Sequence, residues 1–95
     1  MPEPGESTES ALALLEYPGR FPLKVFGRQS ADLEAQVLAL VRARIPQAEH
    51  IEVSRRNSSG GKYQALTLTF TVYTQQQLED IYRDLHQCEQ VVMSL

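Results

Sequence analysis

The stretch Lys62–Tyr73, KYQALTLTFTVY, constrains this chain more than any other. Leu66, Leu68, Phe70 and Val72 fall on one parity, and Thr67, Thr69, Thr71 and Tyr73 on the other. Period two is the signature of a strand with one buried face and one wet face. β-branched and aromatic residues fill it, and no Gly or Pro interrupts it. It is the longest strand signal in the chain, so it is expected at the centre of a sheet. Burying its four apolar side chains is worth about 1.5–3 kcal/mol each, whereas ordering each backbone residue costs about 1–2 kcal/mol. The strand therefore cannot stand alone, and other elements must cover it.

The covering elements can be read in chain order. Residues 1–9 carry three glutamates, two prolines and a glycine, and are expected to form a disordered tail ahead of a single domain over 10–95. Ser10 is positioned to cap one helical turn bearing Leu12, Leu14 and Leu15, which Tyr17-Pro18-Gly19 ends. Phe21–Gly27 reads as the first strand, with Phe21, Leu23 and Val25 on one face and Lys24 and Phe26 on the other. Pro22 cannot donate to a ladder and is expected at that strand's start. Ser30 is a plausible N-cap for a helix on which Leu33, Val37, Leu40, Val41 and Arg44 follow helical spacing, Leu38 and Ile45 widen the apolar stripe, and Pro46 stops the run.

Ile51 and Val53 alternate with His50, Glu52 and Ser54 as a short second strand. The polar loop Arg56–Gly61 then leads into the long strand as a β-hairpin. Thr74-Gln75-Gln76-Gln77 is a capping box, and Leu78, Ile81, Tyr82 and Leu85 give the second helix a core face. Glu89–Leu95 closes the chain as a strand, with Val91, Met93 and Leu95 on one parity. The order β-α-β-β-α-β with right-handed crossovers predicts an α+β ferredoxin-like sandwich: a four-stranded antiparallel sheet with both helices on one face.

Composition narrows the function classes. The chain has 95 residues and a formal net charge of −3, which argues against a general nucleic-acid binder. A single cysteine, Cys88, forbids an internal disulfide and points to a reducing, cytoplasmic setting. The acidic start, MPEPGESTES, is unlike a secretory signal, and no apolar run approaches the ~20 residues of a membrane span.

Leu14-Leu15-Glu16-Tyr17-Pro18 followed by Phe21, Lys24-Val25 and Gly27 resembles the opening of the YbeD-like family of small bacterial proteins. Ser58-Ser59-Gly60-Gly61-Lys62-Tyr63 resembles that family's hairpin signature. Leu78, Tyr82 and Leu85, then Val91, Met93 and Leu95, resemble its closing helix and strand. Where the family commonly carries Ser two places after the tyrosine, this chain has Ala65. The resemblance spans about residues 12–95. It implies a ferredoxin-like fold similar to ACT regulatory domains and assigns no activity.

The residues offer few candidates for chemistry. Arg55, Arg56 and Lys62 flank Ser58, Ser59, Gly60 and Gly61, a loop whose amides could converge on an anion. Against this stands the ordinary role of such loops as solvated turns. It is not a P-loop, because Tyr63 and a strand follow Gly61-Lys62. Lys24 is expected on the open sheet face, where it would either hold an anion or partner carboxylate or keep the face soluble. Phe26, Tyr63, Tyr73 and Val92 are expected on the same face. RNA-recognition modules stack bases there, but Thr67 and Thr69 occupy the positions where aromatics would be needed. His50, His86 and Cys88 lack metal-ligand spacing, and no nucleophile pair or two-carboxylate site emerges. The sequence therefore predicts no catalytic residues, no metal and no cofactor. It leaves two readings: a non-enzymatic regulatory or adaptor module that binds a protein or itself, and an ACT-like sensor of a small anionic metabolite at Arg55–Tyr63. Partner- or ligand-binding candidates are Lys24, Arg55, Arg56, Ser58, Ser59, Lys62 and Tyr63.

Overall fold

The computed structural model describes residues 12–48, 50–58 and 60–95. Its elements are β1 (Gly19–Arg28), α1 (Leu33–Arg44), β2 (Glu52–Asn57), β3 (Tyr63–Val72), α2 (Gln75–Gln87) and β4 (Val91–Ser94). The strands pair antiparallel in the spatial order β2-β3-β1-β4. This is the expected ferredoxin-like arrangement, with the first and third strands in the middle. The expected tail over 1–9, the Ser10 cap and Ser59 lie outside the described residues.

Alternation in β3 does what its sequence dictates. Leu66, Leu68, Phe70 and Val72 are buried, facing Val25, Leu23, Phe21 and Gly19 across the β1 ladder. α1 contributes Leu33, Val37, Val41 and Ile45, and α2 contributes Leu78, Ile81 and Leu85 to the same core. Phe21 meets Tyr82 edge-on, with ring centroids 6.4 Å apart, the geometry the aromatic quadrupole favours. The capping box on α2 is complete: Thr74 Oγ1 accepts from the Gln77 amide at 3.3 Å, and Gln77 Oε1 accepts from the Thr74 amide at 3.3 Å.

Four local expectations need correction. α1 starts later than a Ser30 cap implies: its N-cap is Asp32, which makes no side-chain capping bond. Ser30 instead braces the preceding turn, accepting from the Asp32 amide at 3.3 Å and donating to Gln90 Oε1 at 3.1 Å. Pro22 lies inside β1 rather than at its start. The even-numbered residues of β1 direct their amides toward β4, as the Lys24 and Arg28 amides do toward Leu95 and Gln90. β4 pairs with β1 over Val25–Gly27, short of Pro22, so the amide that Pro22 lacks removes no bond of that ladder.

The second strand runs to Asn57, so Arg55 and Arg56 belong to β2 and are paired with Leu66 and Ala65. In β4, finally, Val91, Met93 and Leu95 do not share a face. Met93 stands opposite Phe26 but Val91 stands opposite Gly27, which makes Val92 the extra residue of a β-bulge. The bulge reverses the parity, leaving Val91 half-buried and Met93 and Leu95 exposed. The turn before β1 docks through buried Leu12 and half-buried Tyr17, whose hydroxyl donates to the Leu12 carbonyl at 2.8 Å; Leu14 is 86% exposed.

Candidate functional site: the open face of the sheet

With both helices on one side, the other side of the sheet faces solvent. The ladder registers place its side chains in rows. Arg56, Ala65, Phe26 and Met93 form one row across β2, β3, β1 and β4. Ser54, Thr67 and Lys24 form the next, which Leu95 extends through its two backbone bonds to Lys24. Tyr63 and Arg28 lie opposite each other beyond the first row. Phe26, Tyr63, Val92, Met93 and Leu95 are all exposed. They gather toward the corner where β1 meets β4.

The charge on this face is opposite in sign to the net charge of the chain. The strands place Arg20, Lys24, Arg28 and Arg56 on it against one side-chain carboxylate, Glu52. Arg20 reaches across β3 to Glu52 at 3.5 Å, and donates to the Thr69 and His50 carbonyls. Among the described residues, no carboxylate approaches Lys24, Arg28 or Arg56 within ion-pair distance.

On the helical side several cations are paired with carboxylates. Arg44 donates to both Asp84 oxygens, at 2.7 and 3.0 Å, and its guanidinium holds that carboxyl below the usual carboxylate range. Arg83 meets Asp80 at 3.1 Å. Burial pushes the Tyr82 phenol up to about 12.

The sequence-derived candidates separate in space. Lys24, Arg56 and Tyr63 lie on the open face. Arg55 leaves β2 on the opposite side, where Nε and Nη2 bond both oxygens of Glu34 on α1 and hold that carboxyl low. Arg55 and Arg56 therefore do not converge on one anion. Ser58 is committed to the hairpin itself: its amide donates to the Tyr63 carbonyl at 2.9 Å, and its hydroxyl accepts from the Tyr63 amide at 3.2 Å. Gly61 takes φ 69°, the left-handed conformation for which glycine is suited, and its amide donates to Ser58. Lys62 is exposed in the loop. Cys88 caps the C-terminus of α2, with Sγ 3.5 Å from Gln36 Oε1.

A groove of about 710 Å³ opens between the β1–α1 turn, α1 and the β2–β3 edge, lined in part by Gln29, Ser30, Glu34, Arg55 and Gln64. Among the described residues, no three His, Cys, Asp or Glu side chains gather where a metal ion could sit. No described helix is long and apolar enough to cross a membrane.

Sequence reasoning missed Arg20, Arg28, Met93 and Leu95. The first two were legible in principle, because they share the parity of Lys24 once β1 is extended at both ends. The other two depend on the bulge, which no Gly or Pro announces.

Residues 13–95 match the family described as a protein of unknown function, DUF493. A UPF0250 protein of Chromobacterium violaceum is 42% identical over 72 residues, covering 76% of this chain and 81% of that one. A UPF0250 protein of Neisseria gonorrhoeae is 38% identical over 87 residues, covering 90% and 96%. The solution structure of protein HP0495 from Helicobacter pylori superposes with a TM-score of 0.71 at 16% identity, over 85% of each chain. That likeness concerns the fold.

Proposed function

Because this chain belongs to the YbeD-like family of small bacterial proteins, described as of unknown function, we propose for it a role that rests on the surface just described: a non-enzymatic regulatory or adaptor module acting by protein–protein interaction in the cytoplasm. The observation that carries the reading is the exposed apolar group at the β1–β4 corner, Phe26 with Val92, Met93 and Leu95, set among cations. Exposed apolar residues that cluster on a sheet face, rather than scatter, mark docking surfaces. The test is co-purification of tagged protein from its native cells. Phe26→Asp and Met93→Asp should each lose the partner, while Leu14→Asp, an exposed apolar residue in the turn before β1, should keep it. Unchanged recovery with both face variants of confirmed fold would overturn the reading.

A second reading, an ACT-like sensor of a small anionic metabolite, draws on the groove beside Gln29, Ser30 and Arg55. There an incoming carboxylate would replace Glu34 as the partner of Arg55. Amide shifts limited to Gln29–Ala31 and Arg55 on adding candidate acids would support it. Identical shifts in an Arg55→Ala variant would overturn it.

A further inference from the structure

We propose that the open face receives an extended acidic segment of a partner protein, in which one apolar side chain is flanked two positions away on each side by carboxylates. This rests on the docking reading above and specifies the chemistry of the partner.

Lys24 and Arg28 lie two residues either side of Phe26 on the same face of β1, so each cation stands about 7 Å along the strand from the ring. Arg56 lies in the same row as Phe26 but two strands away, about 10 Å across the sheet. Met93, directly opposite Phe26, completes an apolar floor. The result is an exposed hydrophobic centre with cations on three sides. None of the three is matched by a carboxylate of a described residue.

Arg20 is not part of this group, because Glu52 and the Thr69 and His50 carbonyls already engage it. In a chain of formal net charge −3, cations left unmatched around an apolar centre are complementary to acid around an apolar anchor. That is the arrangement in which a buried anchor supplies affinity while charge supplies selectivity and encounter rate. An extended segment lying along β1 projects alternate side chains to one side at the same repeat as the sheet. The pattern acid–x–apolar–x–acid therefore sets its carboxylates over Lys24 and Arg28 while its apolar residue covers Phe26.

Single-stranded nucleic acid would meet the same cations and could stack on Phe26 and Tyr63, which are diagonal neighbours across β1 and β3. The surroundings favour peptide. Beyond Tyr63 the face of β3 continues as Ala65, Thr67, Thr69 and Thr71, and the β4 side is aliphatic, whereas sequence-tolerant strand binding needs successive aromatic platforms.

The test is an NMR titration of the full chain with three probes at fixed salt: a peptide centred on Glu-Ser-Leu-Ser-Glu, its Lys-Ser-Leu-Ser-Lys counterpart, and an oligouridine. The expected result is amide shifts confined to Lys24, Phe26, Arg28, Arg56, Ala65 and Met93 with the acidic peptide. The Lys24→Glu/Arg28→Glu variant should bind it on the order of tenfold more weakly and should instead bind the lysine peptide. Absence of shifts, shifts centred on α1 or α2, tighter binding of oligouridine than of peptide, or indifference to the charge reversal would each overturn the proposal. Failure here with partner recovery still lost in Phe26→Asp removes the acidic chemistry and leaves docking intact. Peptide binding as stated, with partner recovery unchanged in both face variants, removes the docking reading instead.

Discussion

Gly27→Ala should cost this fold far more than its single methyl group suggests. Gly27 is buried where β1 passes the bulge in β4. A Cβ there would stand 2.6 Å from the Gln90 carbonyl oxygen and 2.9 Å from both Leu33 methyl carbons. The oxygen cannot simply swing away, because it accepts from the Arg28 amide at 3.0 Å. Leu33 cannot retreat either, as it is fully buried at the start of α1.

Overpacking of this kind costs about 1–3 kcal/mol, and the gain from stiffening the unfolded chain, about 0.4–1 kcal/mol, offsets part of it. At the middle of both ranges the net cost is about 1.3 kcal/mol, and a domain of this size loses about 4–8 °C for each kcal/mol, so Tm should fall by roughly 5–10 °C in a circular-dichroism melt. Gly60→Ala is the control: a Cβ there has no neighbour within 4 Å, and its Tm should stay close to that of wild type. A Gly27→Ala protein as stable as wild type, or an equal loss at Gly60, would refute the close approach of β4 to β1 on which the bulge depends.

Three further outcomes follow from named contacts. Thr74→Ala removes the hydroxyl that accepts from the Gln77 amide and should cost about 1 kcal/mol in urea unfolding, while Thr74→Ser should stay near wild type; equal loss in both would exclude the cap as cause. Asp84 is held below its ordinary pKa, first by its hydrogen bond from Arg44, so its stabilisation is full above the unfolded value of about 3.9 and is lost as pH falls through the lower folded value. Asp84→Asn should therefore be less stable than wild type near neutrality by a difference that closes in acid, and a difference independent of pH would contradict the pairing. Tyr82 is raised to about 12, chiefly by burial, so its contribution is complete below its unfolded pKa of about 10 and lost as pH climbs through the folded value; phenolate absorbance should show a late ionisation that Tyr82→Phe deletes.

The fold was legible because its strongest signals were local and periodic. The parity of Leu66–Val72 fixed which side of β3 meets the helices, and Thr74 with Gln77 fixed where α2 begins. What the sequence concealed was set by partners distant in the chain. Pro22 is tolerated inside β1 because of where β4 lies, not because of its own neighbours. The bulge at Val92 lies beside Gly27, which stands close against Gln90 and Leu33, and it turns Met93 and Leu95 onto the open face against the parity of their own segment. Arg55 and Arg56 are adjacent in sequence and read as one basic cluster. Extension of β2 to Asn57 sends them to opposite sides, and Glu34, 21 positions away, engages the first. The open face itself could be anticipated from the threonines, but its charge could not until Arg20 and Arg28 were counted within β1.

The open sheet face is the surface proposed to meet a partner. A photo-crosslinking residue placed at Thr67, in the middle of that face, should yield discrete protein adducts in native cells, and the same residue at Ala39, exposed on α1, should yield none. Adducts from Ala39 alone, or none from Thr67, would contradict it.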